Sequence, residues 1–267
     1  MNPMFQDFSL DLERLKKILT LAETAGALRA NAFDPETITE ANLRGVVVAL
    51  HTASQNSHSE MPILNGVLLL YLAGRFENYV RELFEDLSDT LALGCTTFSH
   101  LPKAMQVNLV KYTAEVMANP RKYGHAENGV ASFVRTLANN LDEQPLSGVN
   151  SKCLSITSEN MWPDTLADMF ARIGVKQIWE KIGEQARVQQ FWQVDQSDKA
   201  TRASRKFLTD FMELRNQIAH PSGAITWPGM VETIRHIEFC EVIASTLMDL
   251  CSVWAGTLGR RPEDQTP

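Results

Sequence analysis

The apolar residues of this chain recur at three- and four-residue intervals almost throughout, and alternation with a period of two is scarce. That rhythm narrows the choice of fold more than any other feature, because stripes at helical spacing bury as helix faces and not as strands. The clearest case is 64–92, where Leu69, Leu72, Phe76, Val80, Leu83 and Leu87 form one stripe and predict a long helix with one buried side. Further helices are expected over about 9–30, with Leu12, Leu15, Ile18, Leu19 and Ala22 on one face, and from a Thr39 cap to Ala53. Others are expected over 102–118, 128–141 and the short segment from Pro163 to Gly174, then through 175–192 in continuous register and over 197–219. A final helix starts from a Thr226 cap and Pro228 and reaches about 256. "SQNSHSEMP" reads as a polar loop ending at Pro62, and 142–163 as a long polar connection. The expected fold class is all-α: a helical bundle over 61–257 with an irregular middle insert, an N-terminal helical segment over 1–60 packed on it, and a disordered tail over 258–267.

Charge and composition remove several function classes. A net charge of −7 argues against a surface coated in basic residues for bulk nucleic-acid binding, though not against a local basic groove. The first residues lack the basic region and apolar run of a secretory signal. The longest apolar run, GVLLLYLAG at 66–74, is far short of the ~20 residues of a membrane span. A cytoplasmic protein without membrane contact is expected. The four cysteines (Cys95, Cys153, Cys240, Cys251) are widely spaced and form no CxxC pair, which reads as reduced core thiols. The six histidines show no HExxH or HxH spacing, and no Gly-rich phosphate loop occurs, so neither a metal site nor a cofactor is expected.

Chemistry concentrates in "FMELRNQIAHPSG", residues 211–223. With Phe207 at zero and about 100° per residue, Phe211, Leu214 and Ile218 fall within about 40° of it and define an apolar stripe. Asn216 then lies about 180° away and His220 about 220°, both opposite the core, with Arg215 on the flank at about 80°. Arg202 and Arg205 share the outward face. The spacing alone also admits a plainer reading. A histidine at a helix C-terminus favours the dipole and the last carbonyls, Pro221 disfavours helix at His220, and the charges of 198–206 can be a solvated face.

The order Arg215, Asn216, His220 resembles the motif of the HEPN superfamily, an arginine followed by Asn, Asp or His and then by a histidine near a helix end. "YLAGRFENYVREL" resembles the family's long early helix with an acidic residue, here Glu77, and "LADMFARIGVKQIW" resembles the segment before the motif helix in the RiboL-PSP-HEPN group. The likeness covers about 60–255, with 1–60 weakly matched; Pro221 stands where many members carry glycine. The resemblance implies a metal-independent endoribonuclease, acting as a homodimer with two motifs meeting at the two-fold axis, of a kind that serves as toxin or phage defence. It also admits a catalytically silent module that binds RNA or a protein partner, such as an antitoxin or another defence component, though the intact set of Arg215, Asn216 and His220 favours the nuclease.

The residue types suit such a reaction. RNA supplies its own 2′-hydroxyl nucleophile. Histidine titrates near neutrality and serves as base or acid. Arginine offers a fixed fork of donors to phosphate, and asparagine can position the ribose, the phosphate or the histidine tautomer without adding charge. Glu77 either supports Arg215 or His220, or forms an ordinary i, i+4 pair with Arg81. Arg202 and Arg205 are candidates to track the RNA backbone. Trp162, Trp179, Trp192 and Trp227 are read as packing anchors in preference to base-stacking platforms.

Overall fold

The structure, a computed structural model, describes residues 2–30, 34–56, 58–124, 129–142, 145–221 and 226–258. Eleven α-helices occur among them: α1 (Pro3–Ala30), α2 (Ala41–Asn56), α3 (Met61–Leu93), α4 (Lys103–Ala118), α5 (Val130–Leu141), α6 (Ser151–Leu154), α7 (Pro163–Ala171), α8 (Ile178–Gly183), α9 (Ala186–Trp192), α10 (Ser197–Ala219) and α11 (Met230–Leu258). No strand occurs among the described residues, and the fold is all-α.

The long helices fall where apolar spacing places them. On α3 every residue of the expected stripe, from Leu69 to Leu87, is at most 2% exposed, each burial contributing roughly 1.5–3 kcal/mol. The differences lie at ends and joints. The expected loop at 54–62 is mostly helical: α2 runs to Asn56, a 3₁₀ turn follows at His58–Glu60, and α3 begins at Met61. Pro62 does not stop α3 because it sits in the first turn, where no hydrogen-bonding N–H is needed. The stretch 175–192 is two short helices and not one, with Gln177 and Gln193 both at φ 54°. The last helix starts at Met230, so Thr226 and Pro228 precede it. The middle is irregular at 145–150 and 155–162, yet it is packed. Ser151, Cys153, Leu154, Ser155 and Ile156 are buried, and the Asn150 amide donates to Phe133 O at 2.9 Å and to Thr113 Oγ1 at 3.2 Å. Of the expected tail, Leu258 belongs to α11 and 259–267 lies outside the described residues. Among the described residues one helix, α11, is long and apolar enough to cross a membrane, and 44% of its most apolar window is buried inside the protein.

The chain divides into two compact units: a larger one of Met1–Phe5, Phe76–Met212 and Val242–Pro267, and a smaller one of Gln6–Arg75 and Glu213–Glu241. In the larger, Phe84 and Phe170 meet edge to face at 5.4 Å. The Tyr79 hydroxyl donates to Ala244 O at 2.9 Å, and Trp179 Nε1 donates to Pro163 O at 2.8 Å. In the smaller, Phe8, Leu12, Leu15 and Leu19 of α1 are buried, as are Leu68, Leu69 and Leu72 of α3 and Ile237, Phe239 and Cys240 of α11. Buried Asp11 accepts from Arg14 Nη1 at 2.7 Å and Arg75 Nε at 2.5 Å, and Arg75 Nη2 also reaches Asp7 at 2.7 Å. By contrast α2 buries no residue, and its Leu43, Val46, Val48 and Leu50 are exposed. All four cysteines are buried, and none is in a disulfide.

Candidate functional site

The motif occupies the last turn of α10, in the smaller unit. The helix opens with Asp198 in its first turn, where a carboxylate complements the dipole. Its buried positions are Ala200, Ser204, Leu208, Phe211, Met212 and Ile218, while Phe207 and Leu214 are only half-buried. The buried face is therefore centred about 60° from Phe207, rotated from the arc that the large apolar residues define. Ser204 explains part of the rotation: it is fully buried because its hydroxyl accepts the Trp192 indole N–H at 2.8 Å. The rotation changes the setting of the motif. Arg215, expected on the flank, falls inside the buried arc and is half-buried. Asn216, expected to face solvent, is half-buried too, and His220 is exposed as its angle implies.

Arg215 Nη1 donates to Asn216 Oδ1 at 3.1 Å, so the asparagine holds the arginine fork. The His220 backbone N–H donates to Asn216 O at 3.0 Å, which carries the helical ladder one residue beyond Ala219. Asn216 and His220 are thus one turn apart on one side of the chain. The His220 ring makes no hydrogen bond or ion pair with a described residue. Pro221 follows, and residues 222–225, including Gly223, lie outside the described residues. Beyond them the chain is pinned to α3. Pro228 O accepts from Asn65 Nδ2 at 3.1 Å, and the Trp227 ring lies so close to Gly66 that a β-carbon there would meet Cε3 and Cζ3 at 2.6 Å.

The other expected residues belong to the larger unit. Glu77 accepts from Arg81 Nη2 at 2.5 Å as an i, i+4 ion pair, and the same nitrogen reaches Thr157 Oγ1. Arg202 pairs with Asp198 and Arg205 with Asp164, each at 2.8 Å. Both pairs are exposed, and exposed pairs contribute only about 0–1 kcal/mol, so either guanidinium can turn to a phosphate at little cost. Trp179 is buried and Trp162, Trp192 and Trp227 are half-buried, in keeping with anchors. No group of three or more His, Cys, Asp or Glu side chains able to hold a metal occurs among the described residues. Pattern reading passes over Arg172, whose buried Nε finds no hydrogen-bond partner; the buried Nε of Arg81 finds none either. For Arg172 the signal was an arginine inside the apolar run MFARIGV.

The RiboL-PSP-HEPN family matches residues 42–252. The chain belongs to that family, and the match starts within α2. No functionally curated protein and no solved structure matches the chain. A HEPN domain suggests a nuclease or RNA-binding module, and the family is generally one of ribonucleases.

Proposed function

We propose that the protein is a metal-independent endoribonuclease that acts as a cytoplasmic toxin or antiviral effector, with Arg215, Asn216 and His220 as its catalytic residues. The carrying observation is the end of α10: an arginine fork held by Asn216 and, one turn on, an exposed histidine whose ring has no hydrogen-bond or ion-pair partner among the described residues. In this reading His220 takes the proton of the 2′-hydroxyl. That oxygen attacks the adjacent phosphorus, the 5′-oxygen leaves with a proton, and the products are a 2′,3′-cyclic phosphate and a 5′-hydroxyl. Arg215 stabilises the charge that builds on the phosphate.

One chain offers one histidine at this motif, and an exposed group has its electrostatics weakened by water. A homodimer answers both needs, because a two-fold contact sets one patch against its copy and brings a second His220 as the acid. The exposed apolar surface supports this. Leu10, Leu21, Val46, Leu50, Val67 and Tyr71, among other exposed large apolar side chains, belong to the same unit as the motif, and such surface commonly marks a protein interface. The test is purified protein with total RNA. His220→Ala and Arg215→Ala are each expected to lower cleavage by ~10²–10⁴-fold with the fold intact. Full activity in His220→Ala removes the site assignment. RNA binding without cleavage by the wild type identifies a silent module instead.

A further inference from the structure

Within the larger unit, α4, the 3₁₀ turn at Pro120–Tyr123, residues 156–159 and α7 surround a hollow of about 320 Å³. That is the lower end of the range for small-molecule sites, roughly 300–1,000 Å³. Arg172, the C-cap residue of α7, lines it and is 9% exposed. Its Nη1 donates to Leu154 O at 2.6 Å and Ile156 O at 2.7 Å, and its guanidinium lies 4.1 Å from the centre of the Tyr112 ring. Burial pushes its pKa down, even with Tyr112, Asp168 and Glu115 nearby to hold the charge. The Nε has no hydrogen-bond partner, and Arg172 makes no ion pair among the described residues. A buried cation left in that state is costly.

Two more cations line the same hollow. Lys111 Nζ lies 4.8 Å from the centre of the Tyr112 ring that also carries Arg172, and Lys122 Nζ lies 3.0 Å from the Tyr123 hydroxyl. Neither forms an ion pair with a described residue, although the carboxylates of Glu115, Glu159 and Asp168 line the hollow as well. Glu115 is engaged by the Tyr123 hydroxyl. Three cations and three carboxylates thus share one small space, and although Asp168 and Glu115 help to hold the charge of Arg172, no ion pair joins the two signs among the described residues that line it.

We propose that this hollow binds a small phosphorylated sugar. The phosphate meets the guanidinium of Arg172 where it lines the hollow, a planar set of donors that suits phosphate oxygens, with Lys111 and Lys122 closing over it. The sugar hydroxyls donate to Asp168 and Glu159, which is why carboxylates stand in an anion site. The site is separate from the α10 motif and does not rest on its assignment.

Titration calorimetry with ribose 5-phosphate, inorganic phosphate, ribose and a 5′-phosphorylated RNA tetranucleotide tests this. Saturable one-to-one binding of ribose 5-phosphate is expected, with inorganic phosphate and ribose each much weaker. Lys111→Ala with Lys122→Ala removes two exposed side chains that the fold does not need, and is expected to weaken binding roughly tenfold or more. His220→Ala is expected to leave binding unchanged. The proposal is overturned by no binding of ribose 5-phosphate at millimolar concentration, or by binding indifferent to the double lysine variant. Inorganic phosphate binding as tightly removes the sugar contacts, binding confined to the tetranucleotide marks an RNA track, and loss in His220→Ala places the phosphate at the motif.

Discussion

Trp227 over Gly66 is where the chain that leaves the motif is fastened to α3, and it allows a test in which one chemical change has opposite signs at two places. A β-carbon at Gly66 would lie 2.6 Å from two atoms of the indole ring and 3.5 Å from Ile218 Cδ1. Gly66→Ala must therefore displace the ring, an overpacking cost of about 1–3 kcal/mol. Alanine regains about 1 kcal/mol of helix propensity, so the net change is a loss of about 1 kcal/mol. At Gly74, two turns further along α3, an added β-carbon would have nothing within 4 Å. There only helix propensity acts, and Gly74→Ala is expected to stabilise by about 1 kcal/mol. Urea unfolding followed by tryptophan fluorescence should separate the two midpoints by about half a molar or more. RNA cleavage should fall in Gly66→Ala, whose displaced Trp227 loosens the chain seven residues after His220, and hold in Gly74→Ala. Equal stabilisation of both variants would refute the seating of Trp227 on Gly66.

Three further outcomes are expected. Cleavage should persist in excess EDTA and leave cyclic-phosphate ends; strict Mg²⁺ dependence with 3′-hydroxyl ends would indicate a different nuclease mechanism. Under subunit exchange, excess His220→Ala protein should suppress wild-type activity below simple dilution, and sedimentation should show a dimer, whereas a fully active monomer would refute the shared site. Burial pushes the Asp11 carboxyl up, but Arg14 and Arg75 outweigh it and hold it below the usual carboxylate range. Its contribution is therefore complete above about pH 3.9 and lost as pH falls through its lower folded value. Asp11→Asn should cost about 2 kcal/mol at pH 7, with the gap to wild type closing in acid; a gap independent of pH would mean that the charge is not what the two arginines hold.

What could be read in the sequence follows from how local each cause is. The stripe on α3 was legible because burial at every third or fourth residue is a property of one helix. The same holds for α10, whose bounds match the apolar and charged pattern from Ser197 to Ala219. Its rotation was not legible, because Ser204 is buried through a hydroxyl that accepts from Trp192, twelve residues away, and no count of large apolar residues includes a serine. The motif residues were legible as a set, since Arg215, Asn216 and His220 share two turns of one helix. The half-burial of Arg215 was hidden, because it depends on that rotation.

Arg172 was hidden for the same reason, on a longer scale. By composition an arginine in MFARIGV belongs at the surface, since burying a lone charge is disfavoured. It is buried because the chain at Leu154 and Ile156, 18 and 16 residues earlier, turns two carbonyls toward it, and because Tyr112 of another helix presents its ring. Each of those groups is unremarkable in its own stretch of sequence. Carbonyl oxygens and a ring face satisfy part of a guanidinium but do not cancel its charge, and the two lysines that line the hollow add to it. A fold that lines one hollow with three cations and three carboxylates, and joins them in no ion pair among the described residues, leaves both signs to meet something that carries both an anion and hydrogen-bond donors.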